Sequence, residues 1–301
     1  MERIYQAKLI TAIKTPYRED RKIDFEAFDR HVQLQIDGGV QGLVLGGTTG
    51  EGHLMDWQEH VSLIAHAVNL FGEQLVMIGN TGSNNTHEAI RATEEGFAVG
   101  MHMSLQVNPY YGKTSQGGLL EHFQRVLDLG PALIYNVPGR TGQDLQPELI
   151  RQLAKHPHMI GVKECAGIER IKGYEAEGIA CWSGNDDDCH DSRHQAGSHG
   201  VITVAGNLLP KTWRYLMDQE DQSFNQSLKP FIEWLFHEPN PICLNTLMPM
   251  LGYCKPVFRL PYCPLDEASR RKGKELLEGI DLKDQLPEIQ LLLDEAYQLI
   301  A

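Results

Sequence analysis

The sequence predicts an α/β fold: a closed (β/α)8 barrel followed by a small C-terminal helical domain. Three observations carry that prediction. Strand-like and helix-like patterns alternate eight times within about 220 of the 301 residues, which implies a parallel sheet. The strand-like runs are short, β-branched and almost wholly apolar, as in strands covered on both faces. No G-x-G-x-x-G follows the first strand, which disfavours an open doubly wound sheet. The expected division is 1–222 for the catalytic barrel and 223–301 for the C-terminal helical domain.

Taken in order, Ala7–Ile13 reads as a strand, and Asp24–Ile36 as a helix with Asp24 at its N-cap. The strand Gly42–Leu45 runs into Gly46-Gly-Thr-Thr-Gly-Glu51. Asp56-Trp-Gln-Glu59 resembles a capping box and opens a helix to about Phe71. The strand Leu75–Gly79 is followed by a second cap at Asn85 and a helix to about Val99. His102–Val107 is strand-like and ends in Asn108-Pro-Tyr-Tyr-Gly112, before a helix over Ser115–Leu129. The strand Ala132–Val137 leads to Pro138-Gly-Arg-Thr141 and a helix over Pro147–Lys155. The strand from Met159 ends at Lys163, followed by a helix over Glu169–Glu177 and a strand over Ile179–Trp182. A helix over Asp187–Ala196, the strand Gly200–Val204 and a helix from Leu209 complete the barrel. Phe224–Phe236, Asn240–Gly252, Asp266–Glu278 and Leu286–Ile300 then read as helices with Pro-rich joints.

The formal net charge of −13 argues against nucleic acid and against an anionic membrane surface as partners. It also requires local cations for any anionic substrate. The six cysteines show no CxxC pair, which points to a reducing compartment. No apolar run approaches the roughly 20 residues of a membrane span. The N-terminus resembles neither a signal peptide nor a transit peptide, so the chain is expected to be cytoplasmic or already processed.

The polar residues at the predicted C-terminal strand ends are Thr48, Thr49, Tyr110, Tyr111, Tyr135, Arg140 and Lys163. That set holds an amine nucleophile, hydroxyls for proton relay and a guanidinium for a carboxylate, with no metal cluster. It suits carbonyl chemistry through an imine on Lys163, with no cofactor. A lysine ending a buried strand is costly unless its desolvation is used, because an ordinary lysine is almost fully protonated at neutral pH. Each residue also has a blander reading: a snorkelling Lys163, a core Tyr135, a turn at Thr48-Thr49, a surface Arg140. Cys189, His190 and His194 have helical spacing but no evident third metal ligand. Asp186-Asp187-Asp188 reads as the negative start of a helix, and it disfavours a phosphorylated substrate at the loop after the seventh strand.

The sequence Gly47-Thr-Thr-Gly-Glu51, Asn108-Pro-Tyr-Tyr111, Tyr135-Asn-Val-Pro-Gly-Arg-Thr141, Gly161-Val-Lys-Glu164 and Glu238-Pro-Asn-Pro-Ile242 resembles the 4-hydroxy-tetrahydrodipicolinate (dihydrodipicolinate) synthase family. Trp57, Tyr111-Gly-Lys-Thr-Ser115, Trp182-Ser-Gly-Asn-Asp186 and Pro256-Val-Phe-Arg-Leu-Pro261 look like its plant-type branch. Two departures from that branch are expected, a differing stretch over the last thirty or so residues and no plastid-targeting extension, and Asn245 stands where many bacterial members carry lysine. The resemblance implies a lyase that condenses pyruvate with L-aspartate 4-semialdehyde, the first committed step of the diaminopimelate route to lysine. It implies Lys163 as Schiff-base lysine and Tyr135, Thr48 and Tyr111 as relay, with Tyr111 entering a neighbouring subunit's site. Thr49 would hold the pyruvate carboxylate and Arg140 that of the aldehyde, with the backbone around Gly184 and Ile202 lining the pocket. Gly52, His53, Trp57, His60, Asn84, Glu88 and Tyr110 would form a feedback site for L-lysine. The assembly implied is a homotetramer, a dimer of dimers, and the compartment would be the plastid stroma for a processed plant or algal chain. The alternative is another pyruvate-dependent class I aldolase of the superfamily.

Overall fold

The computed structural model describes residues 2–301. Eight parallel strands close into a barrel in sequence order: β1 Leu9–Ala12, β2 Gly42–Leu45, β3 Val76–Asn80, β4 Met103–Val107, β5 Ala132–Asn136, β6 Met159–Glu164, β7 Cys181–Ser183 and β8 Gly200–Thr203. Closure is made by β1 against β8, with Leu9 opposite Val201 and Thr11 opposite Thr203. Almost every strand residue is buried, which is what the near-continuous apolar runs require of a parallel sheet.

Each strand feeds a helix on the outside: α1 Phe25–Asp37, α2 Trp57–Phe71, α3 Thr86–Ala98, α4 Gln116–Leu127, α5 Pro147–Leu153, α6 Ile168–Ala176, α7 Cys189–His194 and α8 Pro210–Asp218. The caps that mark them in the sequence are formed. Asp24 accepts from the Ala27 N–H, Asp56 from that of Glu59, Asn85 from that of His87 and Ser115 from that of Gly118. Side-chain alternation then sorts the strands. Ile10, Val44, Ile78, Leu105, Leu133 and Ile202 fill the barrel interior, while Leu9, Leu43, Met77 and Val201 face the helices. Trp182 plugs the lower interior, its indole N–H donating to the Ala7 carbonyl at 2.7 Å.

Beyond the barrel, α9 Gln222–Leu235, α10 Ile242–Met250 and α11 Glu267–Glu278 pack as helices. Their apolar residues Phe231, Trp234, Leu244 and Leu277 belong to the same core as Trp213 and Phe28 of the barrel helices. The helix expected over Leu286–Ile300 is not formed. That segment is extended, with a single 3-10 turn at Asp294–Ala296 and a strand, β10 Gln298–Ile300, paired in parallel with β9 Val257–Arg259. The physical reason is that its backbone finds partners elsewhere. Gln290 N–H bonds the Met250 carbonyl at 2.8 Å, and Gln298 N–H bonds that of Pro256 at 2.8 Å. The buried Arg270 guanidinium holds the Asp294 carboxylate and the Leu265 carbonyl. The C-terminal region is therefore three helices and a two-stranded sheet rather than purely helical. Among the described residues no helix is long and apolar enough to cross a membrane.

Candidate active site

The barrel's parity puts Val162 on the helix side of β6 and so turns Lys163 into the mouth. Lys163 is 7% exposed, and its ammonium lies 4.3 Å from the centroid of the Tyr135 ring on neighbouring β5. A cavity of about 390 Å³ opens above it, lined by Thr48, Thr49, Tyr135, Arg140, Lys163 and Gly184 among others. Burial holds the Lys163 amine below its ordinary lysine value, and the nearby Arg140 charge acts in the same direction. Burial pushes the Tyr135 phenol well above its ordinary value. Burial thus disfavours the charged form of both the amine and the phenol, which lie side by side as the pair needed to attack a ketone and carry its proton.

Gly184 has a steric reason to be glycine. A Cβ there would sit 2.3 Å from Cys165 Sγ and 2.9 Å from Lys163 Cε, so the lysine stem could not occupy its channel. Thr49 is buried, and its hydroxyl oxygen accepts from Asn240 Nδ2 at 3.0 Å. The hydroxyl proton therefore remains for an acceptor in the cavity. Arg140 lies in a one-turn helix, Pro138–Thr141, closed by Gly142 at φ 72°. Ile202 does not line the cavity as expected. It is fully buried in the barrel interior, and Val204 beyond the end of β8 takes the lining position.

A second cavity of about 790 Å³ adjoins the first and shares Thr48, Tyr135 and Arg140 with it. Gly52, His53, Trp57, His60, Glu88 and Tyr110 line it. Asn84 does not, but its amide donates to the Tyr110 carbonyl at 3.3 Å at the margin. Glu88 pairs with Arg91 at 2.7 Å, and the Trp57 indole N–H donates to the Glu95 carboxylate. Tyr111 is 96% exposed with its backbone at φ 68°. An aromatic side chain held outward in a left-handed conformation is unusual for a residue that serves only its own chain.

The acidic run at 186–188 keeps its expected place only in part: Asp188 stands at the N-cap of α7, but Asp186 does not serve that helix. Asp186 turns away from α7 and is buried, accepting from the Thr203 hydroxyl and from the Val204 and Ala205 N–H groups. It pins the loop after β8 to the loop after β7. Asp188 accepts from the Ser183 hydroxyl at 2.6 Å and the Ser192 hydroxyl at 3.2 Å. Among the described residues no group of three or more His, Cys, Asp and Glu is placed to hold a metal ion. Sequence reasoning passed over Asn240, Val204 and Glu164. Glu164 follows the lysine but faces outward, accepting from Asn136 Nδ2 at 2.9 Å and the Ala166 N–H at 2.8 Å. Burial raises its carboxyl to about 7. Strand alternation next to Lys163 would have found it.

The dihydrodipicolinate synthetase family model matches residues 6–280. The chloroplastic 4-hydroxy-tetrahydrodipicolinate synthase of Nicotiana tabacum is 53% identical over 296 residues, covering 97% of this chain and 82% of that protein. The chloroplastic synthase 2 of Triticum aestivum is also 53% identical and covers 99% of this chain and 80% of its own. That alignment extends over the last thirty residues, whereas the family model stops at residue 280. Among solved structures, the chloride-inhibited dihydrodipicolinate synthase of Acinetobacter baumannii complexed with pyruvate aligns with a TM-score of 0.86 at 30% identity, covering 90% of this chain and 98% of that one. The Cyanidioschyzon merolae enzyme with lysine bound aligns with a TM-score of 0.86 at 26% identity, covering 91% of this chain and 98% of that one.

Proposed function

The chain belongs to the dihydrodipicolinate synthetase family and is a lyase, and from that premise we propose that it condenses pyruvate with L-aspartate 4-semialdehyde to give 4-hydroxy-tetrahydrodipicolinate. The observation that carries this reading is the buried Lys163 amine, aimed into a cavity beside Tyr135.

The Lys163 amine adds to the pyruvate ketone, and loss of water leaves an imine. The imine withdraws electrons from the methyl group, which loses a proton and becomes an enamine. The enamine carbon attacks the aldehyde, and the resulting alkoxide takes a proton. The amino group of the former aldehyde then attacks the imine carbon and expels Lys163. Tyr135, Thr48 and a Tyr111 from a neighbouring subunit pass the protons. The free proton of the Thr49 hydroxyl meets the pyruvate carboxylate, and Arg140 grips the carboxylate of the second substrate with its planar fork. Gly184 leaves room for the imine.

The second cavity is the seat of feedback by L-lysine. Glu88 receives the effector's ammonium and Trp57 lies along its alkyl stem. The walls shared with the first cavity give a short route for coupling. The enzyme works as a homotetramer, a dimer of dimers, at the first committed step of the diaminopimelate route. Its plant relatives are chloroplast proteins, and the plastid stroma is the matching compartment.

The test is an assay that offers pyruvate with aspartate semialdehyde or with keto-sugar-acid aldehydes, with and without millimolar L-lysine. The reading predicts turnover with the amino-acid aldehyde alone and a lower rate with lysine. Preference for a sugar aldehyde would move the chain to another branch of the pyruvate aldolases.

A further inference from the structure

The loop after β2 carries Thr48 and Thr49 and ends in a turn at Glu51, whose backbone lies in the left-handed region at φ 58°. A residue with a Cβ rests there only when its surroundings impose it. Here the side chain supplies the hold. The Glu51 carboxylate is fully buried, and its Oε1 takes both the Lys14 ammonium and Asn245 Nδ2, the latter at 2.5 Å. Lys14 is itself 2% exposed. It follows the end of β1, its N–H bonding Asn207 Oδ1 at 2.9 Å and its ammonium 4.9 Å from the Tyr17 ring centroid. Asn245 comes from α10, and Asn240, just before that helix, donates to Thr49 itself. The threonine loop is thus gripped by a cation from the β1 side and by two amides from the C-terminal region.

None of Lys14, Glu51 and Asn245 lines either cavity. A buried ion pair is also a weak device for stability, because the desolvation of both charges offsets their attraction. Its place directly behind the two threonines supplies another reason for it. We propose that Lys14, Glu51 and Asn245 are positioning residues for keto-acid binding: the buried pair fixes the left-handed turn that holds the threonine loop and so presents Thr49 to the substrate carboxylate. This inference rests on the reading of the first cavity as a keto-acid site.

The geometry offers its own control. Asn245 already touches the same Glu51 oxygen as Lys14, so a lysine at 245 delivers an ammonium to that oxygen from the opposite side. The experiment compares wild type, Lys14→Met and Lys14→Met/Asn245→Lys in full-length protein. It reads the KM for each substrate, kcat, the thermal melt and the borohydride-trapped pyruvate adduct. Lys14→Met is expected to raise the pyruvate KM about tenfold while the aldehyde KM stays within about twofold. The double variant is expected to return the pyruvate KM to within about threefold of wild type. A folded Lys14→Met with the wild-type pyruvate KM overturns the inference. So does a double variant that melts like wild type but keeps the raised KM. If Lys14→Met does not fold, the double variant decides alone: near-wild-type pyruvate KM supports the inference, and a raised KM or failure to fold overturns it. Wild-type protein that forms no adduct at Lys163 overturns the keto-acid reading instead, which separates the two failures.

Discussion

The two cavities at the barrel mouth share six lining residues, Gly47, Thr48, Asn80, Tyr135, Val137 and Arg140, and differ in almost everything else. The inner one rests on strand ends, and its nucleophile is 7% exposed, fixed by packing against Tyr135 and the bare Gly184. The outer one rests on loops and helix starts; its His60 is buried, but Glu88 and Trp57 are only partly buried and already paired, Glu88 with Arg91 and Trp57 with Glu95. The contrast is one of dielectric. Chemistry that needs an uncharged amine belongs where water is excluded. An effector that must come and go belongs where desolvation is slight and side chains can trade one partner for another.

Four substitutions break or sharpen this contrast. The largest effect belongs to Lys163→Ala. It should lower kcat by roughly 10³-fold or more, while direct binding of L-lysine, read by calorimetry, stays near wild type. A loss of effector binding equal to the loss of rate would mean that the cavities are not separable. Next, Tyr111→Phe should lower kcat by roughly 10²-fold. Because Tyr111 is 96% exposed within its own chain, the melting temperature should hardly move. A wild-type rate would remove Tyr111 from the relay. Glu88→Ala should raise the half-inhibitory lysine concentration about tenfold, or about 1.4 kcal/mol, with uninhibited turnover unchanged. Unaltered inhibition would take Glu88 out of the effector site.

The smallest effect is on stability. Burial lowers His60 in the outer cavity from 6.5 to about 4. The unfolded chain therefore takes up a proton below about 6.5 that the folded chain refuses until about 4. This group's penalty is absent above 6.5 and grows as the pH falls, by roughly 1.4 kcal/mol per unit at most. Glu164, raised to about 7, works the other way and favours folding as the pH falls below 7. Melting curves of His60→Gln at pH 7 and pH 5 should fall less steeply between the two values than those of wild type. Parallel curves would show that folding does not shift the titration of His60.

Much of the barrel was legible because each strand obeys a local rule. Its apolar run is bounded by Pro or Gly, and a cap residue such as Asp56 or Asn85 announces the next helix. Lys163 was legible as a violation of that rule, a charge at the end of a buried run. The final segment misled because Leu286, Ile289, Leu293 and Ile300 recur at helical spacing, whereas its hydrogen bonds go to Met250 and Pro256, which no local pattern reveals. Ile202 gave way to Val204 because Ile202 lies below the end of β8, inside the barrel, whereas Val204 lies beyond that end at the cavity. The acidic run at 186–188 gave no sign that Asp186 would turn toward β8. The grip of Lys14 and Asn245 on Glu51 was equally hidden, because its two contacts span 37 and 194 residues along the chain. Local chemistry is written in short stretches, and the groups that hold it in place are not.

The most direct test of the central claim is borohydride reduction in the presence of pyruvate, followed by peptide mass mapping. The account predicts one stable three-carbon adduct per chain, on the peptide carrying Lys163, and none in its absence from the Lys163→Ala protein. An adduct on another lysine, or none in wild type, would contradict it.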